Sequence, residues 1–256
     1  MCNWIPRPSR DFRCTFFARS CLKFVIDMPV NHEKYREITG ELASQNVTLI
    51  AVSKTKPFGD IQELYDLGHR DFGENYVQEL VEKEAQLPKD IRWHFIGHLQ
   101  SNKVKLIAPF VYLIHGVDSL KLLQEINKQG TRNKRVINFL LQVHIAQEET
   151  KFGFDEEELD EVITEINSKD NGLANTAVNG LMGMASFTDD MNKVRNEFRY
   201  LKTIFDTYAE PHPASGETKL KLQTLSMGMS SDYKIAIEEG STMVRIGSLL
   251  FGTRNP

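Results

Sequence analysis

From residue 48 onward, short apolar runs alternate with amphipathic stretches along the chain. Runs rich in Val, Ile, Leu and Phe predict strands over 49–54, 71–74, 93–99, 112–117, 136–145, 178–185, 224–228 and 243–248. Between them, apolar residues at helical spacing predict helices over 59–67, 76–85, 103–109, 119–128, 156–167, 189–208 and 232–238. A further helix is expected over 31–44, ahead of the first strand. Repeated strand–helix units predict a parallel sheet covered by helices. Eight strands in a chain of 256 residues favour an α/β fold of the closed (β/α)8 TIM-barrel type with an extra N-terminal helix. After the eighth strand only a few residues remain, so a final outer helix is missing unless the N-terminal helix takes its place. An open dinucleotide-binding sheet would carry a Gly-rich turn after its first strand, and Ser53-Lys54-Thr55-Lys56-Pro57 stands there instead. No Pro/Gly/Ser-rich linker divides the body, and the polar, turn-rich stretch 211–219 reads as a surface loop.

Composition changes this picture only at the N-terminus. All three cysteines, Cys2, Cys14 and Cys21, fall in residues 1–27, together with five cations against two carboxylates. That segment is +3, which leaves the remaining chain at -7 within a total of -4. The arginines suggest a transit peptide, but Asp11, the prolines and scarce serine argue against one, and there is no apolar core of a secretory signal. Met28-Pro29-Val30 directly precedes the first helical pattern, so residues 1–27 are expected to be a non-native or disordered leader and 28–256 the barrel. The body, without cysteine, has neither a disulfide framework nor a thiolate metal site. Its net charge offers nucleic acid no general attraction, and no apolar run is long enough to span a membrane. The expected setting is cytoplasmic.

In such barrels, active residues collect where strands end and helices begin. Lys54 ends the first apolar run, with Ile50, Val52 and Lys54 on one face of the strand and Leu49, Ala51 and Ser53 on the other. A desolvated lysine has a lowered pKa and can form a Schiff base; a lysine that snorkels to solvent is the alternative. Ser230 and Ser231, after Gly228-Met229, precede a predicted helix, so one of them is expected to cap it. Their hydroxyls, with Gly228 and Gly247 allowing close backbone approach, suggest a phosphate site after the seventh and eighth strands. Arg245 alternates with Val244 and Ile246, which points it into the barrel mouth if those two pack against helices; a buried ion pair with Glu74 is the alternative. His94 and His98 would share a strand face, but with no third ligand they do not make a metal site. Met182 and Met184 are expected to fill the barrel interior, and Lys151 reads as a loop lysine at the active end.

Five segments together, Ala51-Val52-Ser53-Lys54-Thr55-Lys56-Pro57, Phe72-Gly73-Glu74-Asn75-Tyr76, His94-Phe95-Ile96-Gly97-His98-Leu99-Gln100, Leu225-Ser226-Met227-Gly228-Met229-Ser230 and Met243-Val244-Arg245-Ile246-Gly247, resemble those of the pyridoxal phosphate homeostasis proteins. These are single-domain relatives of the alanine racemase N-terminal barrel. The resemblance runs from about residue 31 to Arg254 and does not include the leader. It implies that Lys54 carries pyridoxal 5'-phosphate (PLP) as a Schiff base. It also implies that Ser230, Gly247 and Ser248 hold the phosphate, that Arg245 faces the pyridine nitrogen and that Asn75 lines the ring. The family often has threonine at position 248, where serine keeps the hydroxyl.

The function expected from this is reversible holding and delivery of PLP, without strong catalysis. Racemisation needs a base on each face of the substrate carbon, and in racemases an additional C-terminal domain of a partner supplies the second. An arginine beside the ring nitrogen also leaves the ring a poor electron sink. The expected partners are PLP and, transiently, PLP-dependent apoenzymes, with the protein a monomer and no metal bound. The alternative is a weak PLP enzyme such as an amino-acid racemase, with Lys56, Tyr76 or Lys151 as the second base. A phosphate-binding barrel that uses no PLP is a third reading.

Overall fold

The computed structural model describes residues 30–146, 152–168, 172–209, 220 and 222–252. The expected leader, Lys151 and the loop 211–219 lie outside them. Eight parallel strands close into one barrel, each paired with its neighbours in chain order. They are β1 (Thr48–Val52), β2 (Asp71–Glu74), β3 (Arg92–Phe95), β4 (Leu113–Val117), β5 (Ile137–Gln142), β6 (Thr176–Met182), β7 (Thr224–Ser226) and β8 (Met243–Ile246). Pairing of Ile50 with Arg245 and of Ala51 with Ile246 joins β1 to β8 and closes the ring. The predicted (β/α)8 TIM barrel is therefore the fold.

The helices are α1 (His32–Ser44), α2 (Phe58–Asp66), α3 (Val77–Gln86), α4 (Val104–Ile107), α5 (Leu120–Asn133), α6 (Glu156–Asn167), α7 (Met191–Ala209), α8 (Tyr233–Glu238) and α9 (Ser248–Phe251). Local chemistry marks several of their starts. Asn31 accepts from Lys34 N, Ser119 accepts from Leu122 N, and Asp155 with Glu158 forms a reciprocal capping box. The extra helix α1 packs against β1 and α9, and Asn31 N donates to Leu250 O at 2.8 Å.

Strand alternation divides the side chains into two sets. Leu49, Ala51, Phe72, Trp93, Phe95, Ile114, Leu225, Val244 and Ile246 join the large cluster between sheet and helices. Ile50, Leu113, Leu140, Met182 and Met243 form a small inner cluster, with Met184 packed on it, as expected for the two methionines. Burial of the outer set supplies most of the driving force, at about 25 cal/mol per Å² of apolar surface removed from water.

Several boundaries differ from the sequence expectation. β3 ends at Phe95 rather than running to residue 99, because the chain turns outward there and Leu99 still finds the outer core. β5 ends at Gln142, beyond which Val143 makes one isolated bridge to Phe154. Four-residue α9 was not foreseen, being too short to show a helical period.

Candidate functional site

The site begins with a turn. β1 ends at Val52, and Lys56 N donates to Ser53 O at 3.0 Å, closing a tight reversal with Lys54 and Thr55 at its centre. Thr55 takes a left-handed φ of +63°, uncommon for a branched residue, and its N–H donates to Glu79 Oε1 at 2.6 Å. The preceding residue is clamped from behind. Ser53 Oγ donates to Glu74 Oε1 at 2.6 Å, and the buried Lys83 ammonium donates to Ser53 O at 2.8 Å, to Glu74 at 2.8 Å and to Glu79 at 2.6 Å. Glu74 is thus Lys83's partner on the outer face of the sheet, and the alternative of an Arg245–Glu74 ion pair is not what the barrel builds. Burial pushes the Glu74 carboxyl up, against the pull of Lys83.

This clamp presents Lys54 to a cavity of about 520 Å³ at the carboxyl ends of the strands, a size in the ordinary range for small-ligand sites. Lys54, Asn75, Ser230, Arg245, Gly247 and Ser248 all line it. The six residues that the family resemblance assigns to the cofactor therefore share one pocket. Lys56 and Ser231 join them there, with Lys56 Nζ donating to Phe251 O at 2.5 Å. Tyr76 is exposed and is not among the lining residues.

At one end of the pocket, Gly228 turns the chain with φ +94°, and a Cβ there would sit 2.6 Å from that of Ala236. The turn carries Ser230 over β8, where Gly247 N donates to Ser230 Oγ at 3.3 Å. Neither Ser230 nor Ser231 caps α8. Asp232 occupies that position, and its Oδ1 accepts from Met229 N at 2.5 Å. Both serines stay at the pocket wall because the aspartate takes over the turn.

At the floor, Val244 and Ile246 do pack outward, and Arg245 points inward. Its Nη1 donates to Ser226 O at 2.9 Å and Ser226 Oγ at 2.6 Å, and its Nη2 to Gly183 O at 3.1 Å. Burial lowers its pKa to about 10, partly offset by the Asp232 charge; it remains a cation near neutrality. Asn75 Oδ1 is buried and accepts no hydrogen bond among the described residues. An orphan acceptor on a pocket wall calls for a donor from a ligand.

The two histidines noted in the sequence do not share a face. His94 is fully buried on β3, while His98 lies on the loop beyond it, bonded to Asp118 at 3.1 Å and stacked on Phe152 at 4.1 Å. His94 instead meets His115 of β4, with Nδ1 and Nε2 3.0 Å apart. His115 was not foreseen, because a single histidine within the apolar run 112–117 carries no spacing signal. Among the described residues no cluster of His, Cys, Asp or Glu is arranged to hold a metal ion. No described helix is long and apolar enough to cross a membrane.

Comparison with known proteins places the chain in a family. The family model for the alanine racemase N-terminal domain matches residues 26–255. The pyridoxal phosphate homeostasis protein of Haemophilus influenzae is 40% identical over 219 residues, covering 84% of this chain and 89% of the relative. That of Aquifex aeolicus is 42% identical over 207 residues, covering 80% and 86%. Among solved structures, PipY of Synechococcus elongatus with PLP bound is 34% identical, with a TM-score of 0.74 over 84% of this chain and 99% of that one. The alanine racemase of Streptomyces coelicolor, 13% identical with a TM-score of 0.66 over 87% of this chain and 58% of its own, shares the fold. The chain belongs to the alanine racemase N-terminal domain family, within its pyridoxal phosphate homeostasis proteins.

Proposed function

We propose that this protein binds pyridoxal 5'-phosphate in the pocket at the barrel mouth, holds it reversibly and releases it to PLP-dependent apoenzymes, without acting as an efficient enzyme itself. The observation that carries this reading is the convergence of Lys54, Asn75, Ser230, Arg245, Gly247 and Ser248 on one cavity. PLP bound there would supply an aldehyde that condenses with an amine, releasing one water.

Each side chain has a distinct task. Lys54, raised on its clamped turn, provides the amine. The hydroxyls of Ser230 and Ser248 and the backbone of Gly247 face the phosphate, and Lys56 adds a positive charge at the same pocket. Asn75 Oδ1, which lacks a donor, accepts from the ring hydroxyl. Arg245 donates to the pyridine nitrogen and keeps it unprotonated, because a guanidinium with a pKa near 10 does not yield its proton at neutral pH.

That last role disfavours transamination and decarboxylation, since an unprotonated ring withdraws electrons weakly. Relatives named homeostasis proteins rather than enzymes support holding over catalysis. The test is the absorption spectrum of the purified protein with PLP, followed by borohydride reduction and peptide mapping. Reduced cofactor fixed on Lys54 is the expected result. A colourless protein, unmodified after incubation with PLP, overturns the reading.

A further inference from the structure

A line of polar side chains crosses the inside of the barrel below the pocket. At its far end Arg92 grips Asp71 through Nε at 2.6 Å and through Nη2. Asp71 Oδ1 lies 3.2 Å from His94 Nε2. His94 Nδ1 lies 3.0 Å from His115 Nε2, and His115 Nδ1 lies 3.2 Å from Ser226 Oγ. Ser226 Oγ accepts from Arg245 Nη1 at 2.6 Å. The line thus runs from β2 through β3 and β4, across the lumen to β7, and ends on the arginine of β8. His94, His115 and Ser226 are fully buried, so each polar atom is held to its partner by the cost of leaving it unpaired.

Both ends dictate the same direction of hydrogen bonding. Arg245 can only donate, so the Ser226 oxygen accepts from it and turns its own hydrogen to His115 Nδ1. Asp71 as a carboxylate can only accept, so His94 Nε2 must carry a hydrogen. The remaining His94 Nδ1 is then a lone pair, filled by His115 Nε2–H. One arrangement satisfies every atom: two neutral histidines, each carrying its hydrogen on Nε2. Burial works to raise the Asp71 carboxyl, but the bonds from Arg92 and His94 outweigh it and hold it below the usual carboxylate range. Burial lowers both histidines, and for His115 the neighbouring His94 and Arg245 add to this. The charged and titratable groups around the pair are His69, Asp71, Arg92, Tyr112 and Arg245.

We propose that Asp71, His94, His115 and Ser226 form a relay of fixed polarity that positions the Arg245 guanidinium at the pocket floor. Ser226 occupies both hydrogens of Arg245 Nη1, through its carbonyl and its hydroxyl. Gly183 takes one from Nη2. The guanidinium plane is thereby fixed, with the edge that holds Nε and the other Nη2 hydrogen outside these bonds. The hydroxyl of Ser226 is held in place by His115, and His115 by His94 and Asp71. These are positioning residues: they act on the pocket only through Arg245. The link to ring-nitrogen recognition rests on the function proposed above, but the relay itself does not.

The test therefore starts without cofactor. Long-range proton–nitrogen correlation spectra of the histidine-labelled protein read each tautomer directly. Both His94 and His115 are expected as neutral Nε2–H forms from pH 8 down to pH 6. A proton on Nδ1 of either, or an imidazolium at neutral pH, overturns the relay. Ser226→Ala is expected to speed hydrogen exchange at Arg245 Nη by about tenfold, the loss of one bond to a charged group, while Ser226→Thr keeps the wild-type value. Equal exchange in all three proteins overturns it. With PLP added, Ser226→Ala should move the pH dependence of the bound cofactor's absorbance, and Ser226→Thr should not. Failure of PLP to bind would count against the proposed function and leave the tautomer and exchange readouts to decide the relay.

Discussion

Lys83 Nζ sits 2.8 Å from the backbone carbonyl of Ser53, the residue immediately before Lys54. A buried ammonium on the outer face of the sheet thus fixes the turn that delivers another amine to the mouth. The same ammonium pairs with Glu74, whose side chain is fully buried. Removing one partner of a buried pair strands the other, at a cost of about 3–5 kcal/mol. Lys83→Met is therefore expected to lower the Tm by about 10 °C, at 2–4 °C per kcal/mol for a chain of this size. Without Lys83 the Glu74 carboxyl rises further and takes up a proton. A raised folded-state pKa gives stability that is lost as pH rises, so the variant should be closer to wild type at pH 5 than at pH 7.5. Thermal melts at the two pH values check both statements.

Lys54→Ala should leave the fold intact, because contacts of Ser53, Thr55 and Lys56 hold the turn. The covalent link is lost while the phosphate contacts remain. Titration should show weaker PLP binding, no product of borohydride reduction at this position and an unchanged circular dichroism spectrum.

Arg245→Glu exchanges a donor for a carboxylate at the pocket floor. A ring nitrogen beside it would become protonated, and the absorption spectrum of bound PLP should shift accordingly. Unchanged absorbance would place Arg245 away from the ring nitrogen.

Stability should fall as the solution is acidified from pH 7 to pH 5. Burial lowers His69, His94 and His115 in the folded state. Below about pH 6.5 the unfolded chain binds protons that the folded one refuses, so each of these histidines removes up to about 1.4 kcal/mol per pH unit. Asp71, held low, keeps its contribution until the pH falls through the unfolded carboxylate range. Glu74, held high by burial, has the opposite sign: its contribution is fully present below the unfolded carboxylate value and is lost as the pH rises through the raised folded one. Denaturant unfolding across this interval measures the slope, and a flat profile would contradict the neutral buried histidines.

Gly97→Ala tests how closely the loops pack at the mouth. A Cβ on Gly97 would lie 2.3 Å from Asn75 O and 2.9 Å from Asn75 Cα, both backbone atoms that cannot swing aside. The substitution should displace Asn75 and weaken PLP binding more than it lowers the Tm. A fall in Tm with unaltered affinity would show that the displacement is absorbed elsewhere.

Much of this architecture was legible in the sequence. The outward residues of β1 and β8, Leu49, Ala51, Val244 and Ile246, alternate with inward Ile50, Met243 and Arg245, and that period of two fixed the face from which Arg245 enters the pocket. Strand ends were less legible. Apolar residues continue past Phe95 and Gln142 because the loops at the mouth also pack against the core, through Leu99 and Val143. One serine of the Ser230–Ser231 pair was expected to cap α8, but the cap position falls on Asp232, whose side chain accepts from Met229 N rather than from the N–H groups of the helix.

The sequence by itself determined the repeating strand–helix order, the facing of the residues on the first and eighth strands and the presence of Lys54, Asn75, Ser230, Arg245, Gly247 and Ser248 at strand ends. These follow from local periodicity and turn chemistry, which act over a few residues. Only the tertiary structure decided which charges meet. Lys83 could have found any carboxylate, and closure of the barrel set it against Glu74 and Ser53. Asp71, His94, His115, Ser226 and Arg245 come from five different strands, the first and last separated by more than half of the chain. Their contact exists because eight strands tilt into a ring whose lumen is narrow enough for side chains from opposite walls to touch.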